Sequence, residues 1–268
     1  MSVSRRMSLR YSRHLEHLTS PPLLVYIAWR VRSGYIGKKH ITKALERFHA
    51  SNPDVALAIN VTRHPYSFLG DSKSGGFLRS GGTWHDGLKD YTDGTDEGAR
   101  RAEAGLSALG AAAGIKFRFD QQTNWQPMDS QRMLLWAGRH GKGEEFMDAL
   151  NSAHFQDGKS ASDRANVLAA AETAGLDAGA ASAFLATREL EDAVWQSYGD
   201  TIHKYAIHAI PFFVFSVPAM GMVGGPFREG QAEKTTPWIV NGSMDSDRFL
   251  EIFSEVYSVW RQHMTAWL

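Results

Sequence analysis

The run Leu23-Leu24-Val25-Tyr26-Ile27-Ala28-Trp29, followed by Arg30-Val31-Arg32-Ser33-Gly34 and then Tyr35-Ile36-Gly37-Lys38-Lys39, decides how the chain folds. Seven apolar residues, rich in β-branched and aromatic types and preceded by Pro21-Pro22, predict a buried strand over Leu23 to Trp29. From Tyr35 to His49 the period changes: Ile36, Ile41, Leu45 and Phe48 recur at helical spacing, while Lys38, Lys39, Lys43, Glu46 and Arg47 face outward. An amphipathic helix follows. Asn52-Pro53-Asp54 ends it, and Val55 to Val61 predicts a second strand. Strand, helix and strand in this order form a βαβ unit with parallel strands and a right-handed crossover.

Beyond that unit, His64 to Gly94 is rich in glycine, serine and aspartate and predicts a long surface loop. Asp96 to Ala113 predicts a helix closed by Gly114, and Ile115 to Phe119 alternates as a short strand or extended linker. Helices are predicted over Met128 to Gly141, Glu144 to Phe155, Ser162 to Ala174, Ala178 to Thr187 and Glu189 to Ile207, with Ser162 and Asp177 as N-caps and Gly141 and Gly175 as stops. Phe212 to Val217 and Trp238 to Val240 predict strands, and Asp245 to Trp260 a closing amphipathic helix. The class is α/β: a βαβ half, an inserted all-helical block and a ββα half. The expected divisions are a basic N-terminal extension over 1–20, a first half with its long loop and helix over 21–120, an inserted helical domain over 121–207, and a second half over 208–268 carrying an inserted loop at 218–236.

Composition removes several chemistries. The 268 residues contain no cysteine, which excludes disulfides, thiolate nucleophiles, redox CxxC pairs and cysteine-ligated metals. Formal net charge is zero, so general nucleic-acid binding is not expected, and no apolar run approaches the roughly 20 residues of a membrane span. His64, His85, His203 and His208 form no metal-binding spacing, no GxSxG elbow follows a strand, and the glycine-rich Ser74 to Gly82 lacks the ending of a phosphate loop. Arg5, Arg6, Arg10 and Arg13, interspersed with serines and with no acid before Glu16, give the bias of an organelle targeting segment. That bias points to a mitochondrial location, or a cytoplasmic one if the arm has no such role.

Short motifs in order make the comparison with one family specific. Tyr35-Ile36-Gly37-Lys38-Lys39 resembles the segment after the dithiol in the cytoplasmic dithiol-disulfide isomerase branch of the DsbA-like thioredoxin superfamily. Asn124, Asp129, Arg132, Leu134 and Ala137 resemble the opening of that family's helical block. Ala153-His154-Phe155, Gly158, Asp163, Val167-Leu168 and Gly175-Leu176-Asp177 resemble its continuation. Ile210-Pro211-Phe212-Phe213-Val214 is similar to the cis-proline run before the third strand, and Asn241-Gly242 with Phe249 to the run after the fourth. The likeness covers roughly 23–62 and 115–260. It implies a thioredoxin-like sheet with a helical insertion, a cis Ile210-Pro211 bond, and the two redox cysteine positions at Val31 and Gly34. Neither can form a thiolate.

Related kappa-class glutathione transferases and 2-hydroxychromene-2-carboxylate isomerases carry a serine at the first of those positions, which here is Val31; the nearby hydroxyl is Ser33. Two functional expectations follow from the resemblance. In the first, the chain is a redox-inactive binding or structural protein with no cofactor and no catalytic residue, an accessory subunit of a mitochondrial assembly such as the ribosome or respiratory chain, with a protein partner and a possible homodimer. Its binding surface is Ser33, Arg32, Lys38, Ile210 and Pro211, and Ser33 also caps the helix Gly34 to His49. In the second, the chain is a glutathione-dependent isomerase or transferase, in which Ser33 supports the thiolate and Arg32 or Lys38 receives the carboxylates of glutathione.

Overall fold

The computed structural model describes residues 22–29, 32–55, 57–67, 70–71, 82–124, 126–217 and 238–265. The expected basic extension, Arg30, Val31 and the whole of the 218–236 insertion lie outside them. Strand β1 is Pro22–Trp29 and helix α1 is Arg32–Ser51. The helix starts before Gly34, so Ser33 sits inside its first turn and is not the N-cap that the sequence suggested. At the far end Asn52 Nδ2 donates to the Phe48 carbonyl at 2.9 Å, and the Val55 amide turns back to Asn52 O at 3.0 Å. This turn consumes Val55, so β2 is Ala58–Pro65 and not Val55 to Val61. It also runs four residues further than hydropathy suggested, through the polar Arg63 and His64, because β1 supplies partners in parallel register from Pro22↔Ala58 to Trp29↔Pro65.

The stretch read as one long loop contains α2, Trp84–Tyr91. Thr83 and Asp86 form a reciprocal capping box, whose two bonds satisfy amides the helix itself leaves unpaired. After α3, Asp96–Ala112, Gly114 takes φ +75°, and Ile115 to Phe119 has no regular secondary structure and does not join the sheet. The helical block comprises α4 Met128–Arg139, α5 Gly143–Phe155, α6 Arg164–Thr173, α7 Ala178–Ala186 and α8 Glu191–Gly199, the last continuing as a π-helical turn over Asp200–Lys204. Asp177 caps α7 as expected. The cap of α6 is Asp163, one residue beyond the expected Ser162. Strands β3 Phe212–Ser216 and β4 Trp238–Asn241 and helix α9 Ser246–Thr265 complete the fold.

The strand order is β2-β1-β3-β4, with β1 and β2 parallel and β3 antiparallel to β1 and β4. Phe213 and Phe215 on β3 meet Phe249 and Phe253 on α9, with Phe213 and Phe249 edge to face at 5.3 Å between ring centres. Each of these fully buried rings stabilises the fold by about 2 kcal/mol. Gly37 brings α1 down onto the same sheet face, where a Cβ would come within 2.6 Å of Phe213 Cζ. The same buried cluster continues without a break through Tyr35, Phe155, Phe146 and Met133 into the helical block.

Candidate functional site at the start of the first helix

The site lies where β1 and β2 end and β3 begins. Ala28 is in register with His64 on one side and with Phe212 on the other, and Phe212 with Asn241. The Ile210-Pro211 peptide bond is cis, as the resemblance implied. The Pro211 carbonyl accepts from the Gly242 amide at 2.8 Å, which ties this loop to the end of β4. Ile210, half-buried, packs with Phe212 and Tyr205 against the buried pair Tyr66 and Ile207. The loop is therefore held from both sides.

Arg32 departs most from expectation. It directly follows Val31, which the resemblance aligns with the first redox cysteine, and it was expected on a binding surface where it could receive a carboxylate. Its side chain points inward, with the whole residue 1% exposed. The guanidinium carbon lies 3.9 Å from the ring centre of Phe119, 4.4 Å from Trp84, 5.2 Å from Phe117 and 5.4 Å from Phe155, and Nη2 donates to the Arg118 carbonyl. Nε and Nη1 have no hydrogen-bond partner among the described residues. Burial lowers the Arg32 pKa to about 9 against the opposing field of Glu103, which leaves it charged at neutral pH. Ring faces supply the compensating negative potential, at about 0.5–2 kcal/mol each. Trp84 is oriented in turn, since its Nε1–H donates to His154 Nε2 at 2.8 Å. That leaves the proton on Nδ1, which donates to the Lys159 carbonyl at 2.9 Å.

Lys38 is also withdrawn from the role proposed for it. Its Nζ lies 2.6 Å from Glu144 Oε2, and Arg63, whose side chain is 1% exposed, grips the same carboxylate through Nε and, at 3.0 Å, through Nη2. Burial pushes the Glu144 carboxyl up, but Arg63 and Lys38 outweigh it and hold it below the usual carboxylate range. This triad joins α1, β2 and α5. Neither Arg32 nor Lys38 is thus free to receive a ligand carboxylate at the start of α1.

Ser33 is half-buried, its hydroxyl has no hydrogen-bond partner among the described residues, and Gly34 is buried beside it. Val31 lies outside the described residues. His64, read from sequence as a loop residue, is in β2, and burial lowers its pKa to about 4, so it is neutral at pH 7. It borders a cavity of about 200 Å³ with Asp200 and Tyr205. The aromatic box and the Arg63–Glu144 pair were missed because their members are far apart in sequence. One signal was present: Phe117 and Phe119 alternate around Arg118, so both rings fall on one side of an extended segment. Among the described residues no group of three metal-ligating side chains occurs, and no helix is long and apolar enough to cross a membrane.

A family model for the DSBA-like thioredoxin domain matches residues 34–230. The chain belongs to the DsbA-like family. Comparison with curated proteins found no match. Among solved structures, this DsbA-like chain is similar to a probable DsbA oxidoreductase from Streptomyces coelicolor, at 21% identity and a TM-score of 0.67 over 88% of this chain and 90% of that one. It is also similar to a 2-hydroxychromene-2-carboxylate isomerase, at 12% identity and a TM-score of 0.55 over 91% of this chain and 98% of that one. At these identities the likeness concerns the DsbA-like fold.

Proposed function

We propose that this cysteine-free DsbA-like chain is a binding protein whose ancestral active-site helix has become a packing element. The observation that carries this reading is Arg32 in its box of four aromatic rings, since it turns the residue between the two former cysteine positions into an internal anchor. Redox and glutathione chemistry both need that turn of helix open to a substrate sulfur. What remains usable is the backbone beside cis-Pro211, where an extended segment of a partner protein can pair with Ile210. The partner belongs to a larger assembly, and the basic first fifteen residues favour a mitochondrial one.

Two measurements test this. Native mass spectrometry of the chain purified from its source should find it in a stoichiometric complex, from which Ile210→Arg releases it. Calorimetry with glutathione at millimolar concentration should show no binding. Glutathione binding that disappears in Ser33→Ala would replace this reading with that of a glutathione-dependent isomerase or transferase.

A further inference from the structure

Among the described residues strand β2 is an edge of the sheet, with β1 on one side of it and no strand on the other. Between Ile59 and Thr62 its backbone makes no backbone hydrogen bond to a described residue outside the sheet, and Asn60 and Thr62 are exposed. Two cavities of about 440 and 480 Å³ lie along this edge and share Asn60, Val61, Gly138, Gly143 and Glu144, so they form one groove. The opposite wall is the turn from α4 to α5. A Cβ at Gly138 or Gly141 would meet nothing within 4 Å, whereas one at Gly143 would come within 3.3 Å of Gly138 Cα. That wall is bare backbone. One end of the groove is apolar through Ile41 and Leu45, the other through Leu134 and Leu190. In the middle, Arg63 gives Nε and Nη2 to Glu144, but its buried Nη1 has no partner among the described residues.

We infer that this groove binds an extended peptide of a partner protein, which adds as a strand to the β2 edge and sets an acidic side chain against Arg63 Nη1. The unpaired N–H and C=O groups of a strand edge are complementary to another extended chain, and alternate side chains of that chain reach the two apolar ends. A helix or a lipid tail would leave the edge unpaired. The acidic residue follows from Arg63: a buried donor left without an acceptor costs about 1–3 kcal/mol, which an incoming carboxylate recovers. The groove also holds Lys38, Arg63 and Arg139 against Glu144 and Glu145, an excess of one positive charge. It shares no lining residue with the Ile210 surface, so it stands or falls separately from the function proposed above.

The test is a displayed library of random heptapeptides selected on the full chain, with enriched peptides synthesised and titrated by fluorescence polarisation. Enriched sequences should carry a central acidic residue between β-branched neighbours. Their affinity should fall at least about tenfold in Gly138→Trp, which fills the groove from a position with open space, and should be unchanged in Ile210→Arg. Gly138→Trp is preferred because removing Arg63 also strips Glu144 of its partner, and an unchanged melting temperature will show that the variant is folded. Failure to enrich any peptide, or enriched peptides that bind Gly138→Trp as tightly as wild type, would overturn the inference. Loss of binding in Ile210→Arg alone would overturn it too, while supporting the cis-proline surface.

Discussion

Arg32 separates packing from charge within a single side chain. Its stem and planar head fill the space between Trp84 and Phe119, while its charge bears the cost of burial. If packing dominates, Arg32→Met should change stability by no more than about 1 kcal/mol, because an apolar isostere sheds the desolvation penalty as it loses the ring contacts. Arg32→Ala should lose about 3 kcal/mol through the cavity it leaves. Urea melts of the two variants decide. His64 supplies a pH signature. Its folded pKa of about 4 lies below the ordinary histidine value, so the folded state resists a proton that the unfolded chain accepts. Nothing is lost at pH 7. As pH falls from about 6.5 toward 4, stability should drop by about 3 kcal/mol in wild type and by less in His64→Gln. His85, raised by its bond to Glu103, acts with the opposite sign, so the wild-type and variant curves must be compared with each other.

At the scale of elements, α1 is held to the sheet by a glycine and to the helical block by a carboxylate. Gly37→Ala places a methyl group where Phe213 lies, and the ring, packed against Phe249, has little room to yield. Destabilisation of about 1–3 kcal/mol is expected in denaturant melts despite the better helix propensity of alanine. Glu144→Gln leaves Arg63 and Lys38 without their counter-charge at the junction of β2, α1 and α5. The loss should be about 3 kcal/mol at pH 7. Because the Glu144 pKa is depressed, its contribution is present above the unfolded carboxylate pKa of about 4.3 and lost as pH falls further, so wild type and variant should converge in acid.

For the molecule as a whole, the decisive feature is that one buried cluster runs from Phe213 and Phe249 through Tyr35 and Phe155 to Phe146 and Met133. The sheet and the helical block therefore share their apolar contacts. Unfolding followed by tryptophan fluorescence and by far-ultraviolet circular dichroism should give coincident transitions. Two separated transitions would show that the block unfolds independently of the sheet. Such continuity also explains how α1 keeps its position without a dithiol. Arg32 and Tyr35 on α1 contact Phe155, which belongs to the inserted block.

Much of this was legible in the chain itself. Continuous apolar runs specified β1 and β3, the period of Ile36, Ile41 and Phe48 specified α1, and Asp177 and Gly175 marked a helix start and stop, whereas the cis Ile210-Pro211 bond was implied by the family resemblance alone. These signals are local, because the backbone and the nearest side chains suffice to produce them. The absence of cysteine excluded thiol–disulfide exchange by composition alone. Only the tertiary structure decided where the cations go. Arg32 and Lys38 were expected on a binding surface open to a partner or a carboxylate, since a charged side chain in a sequence carries no sign of burial. It takes Trp84, Phe117 and Phe119 on one side and Glu144 on the other, all remote in the chain, to lower the cost of taking those charges out of water. The extension of β2 through Arg63 and His64 has the same cause: β1 supplied the backbone partners and Glu144 the counter-charge, and neither is visible from the strand's own residues.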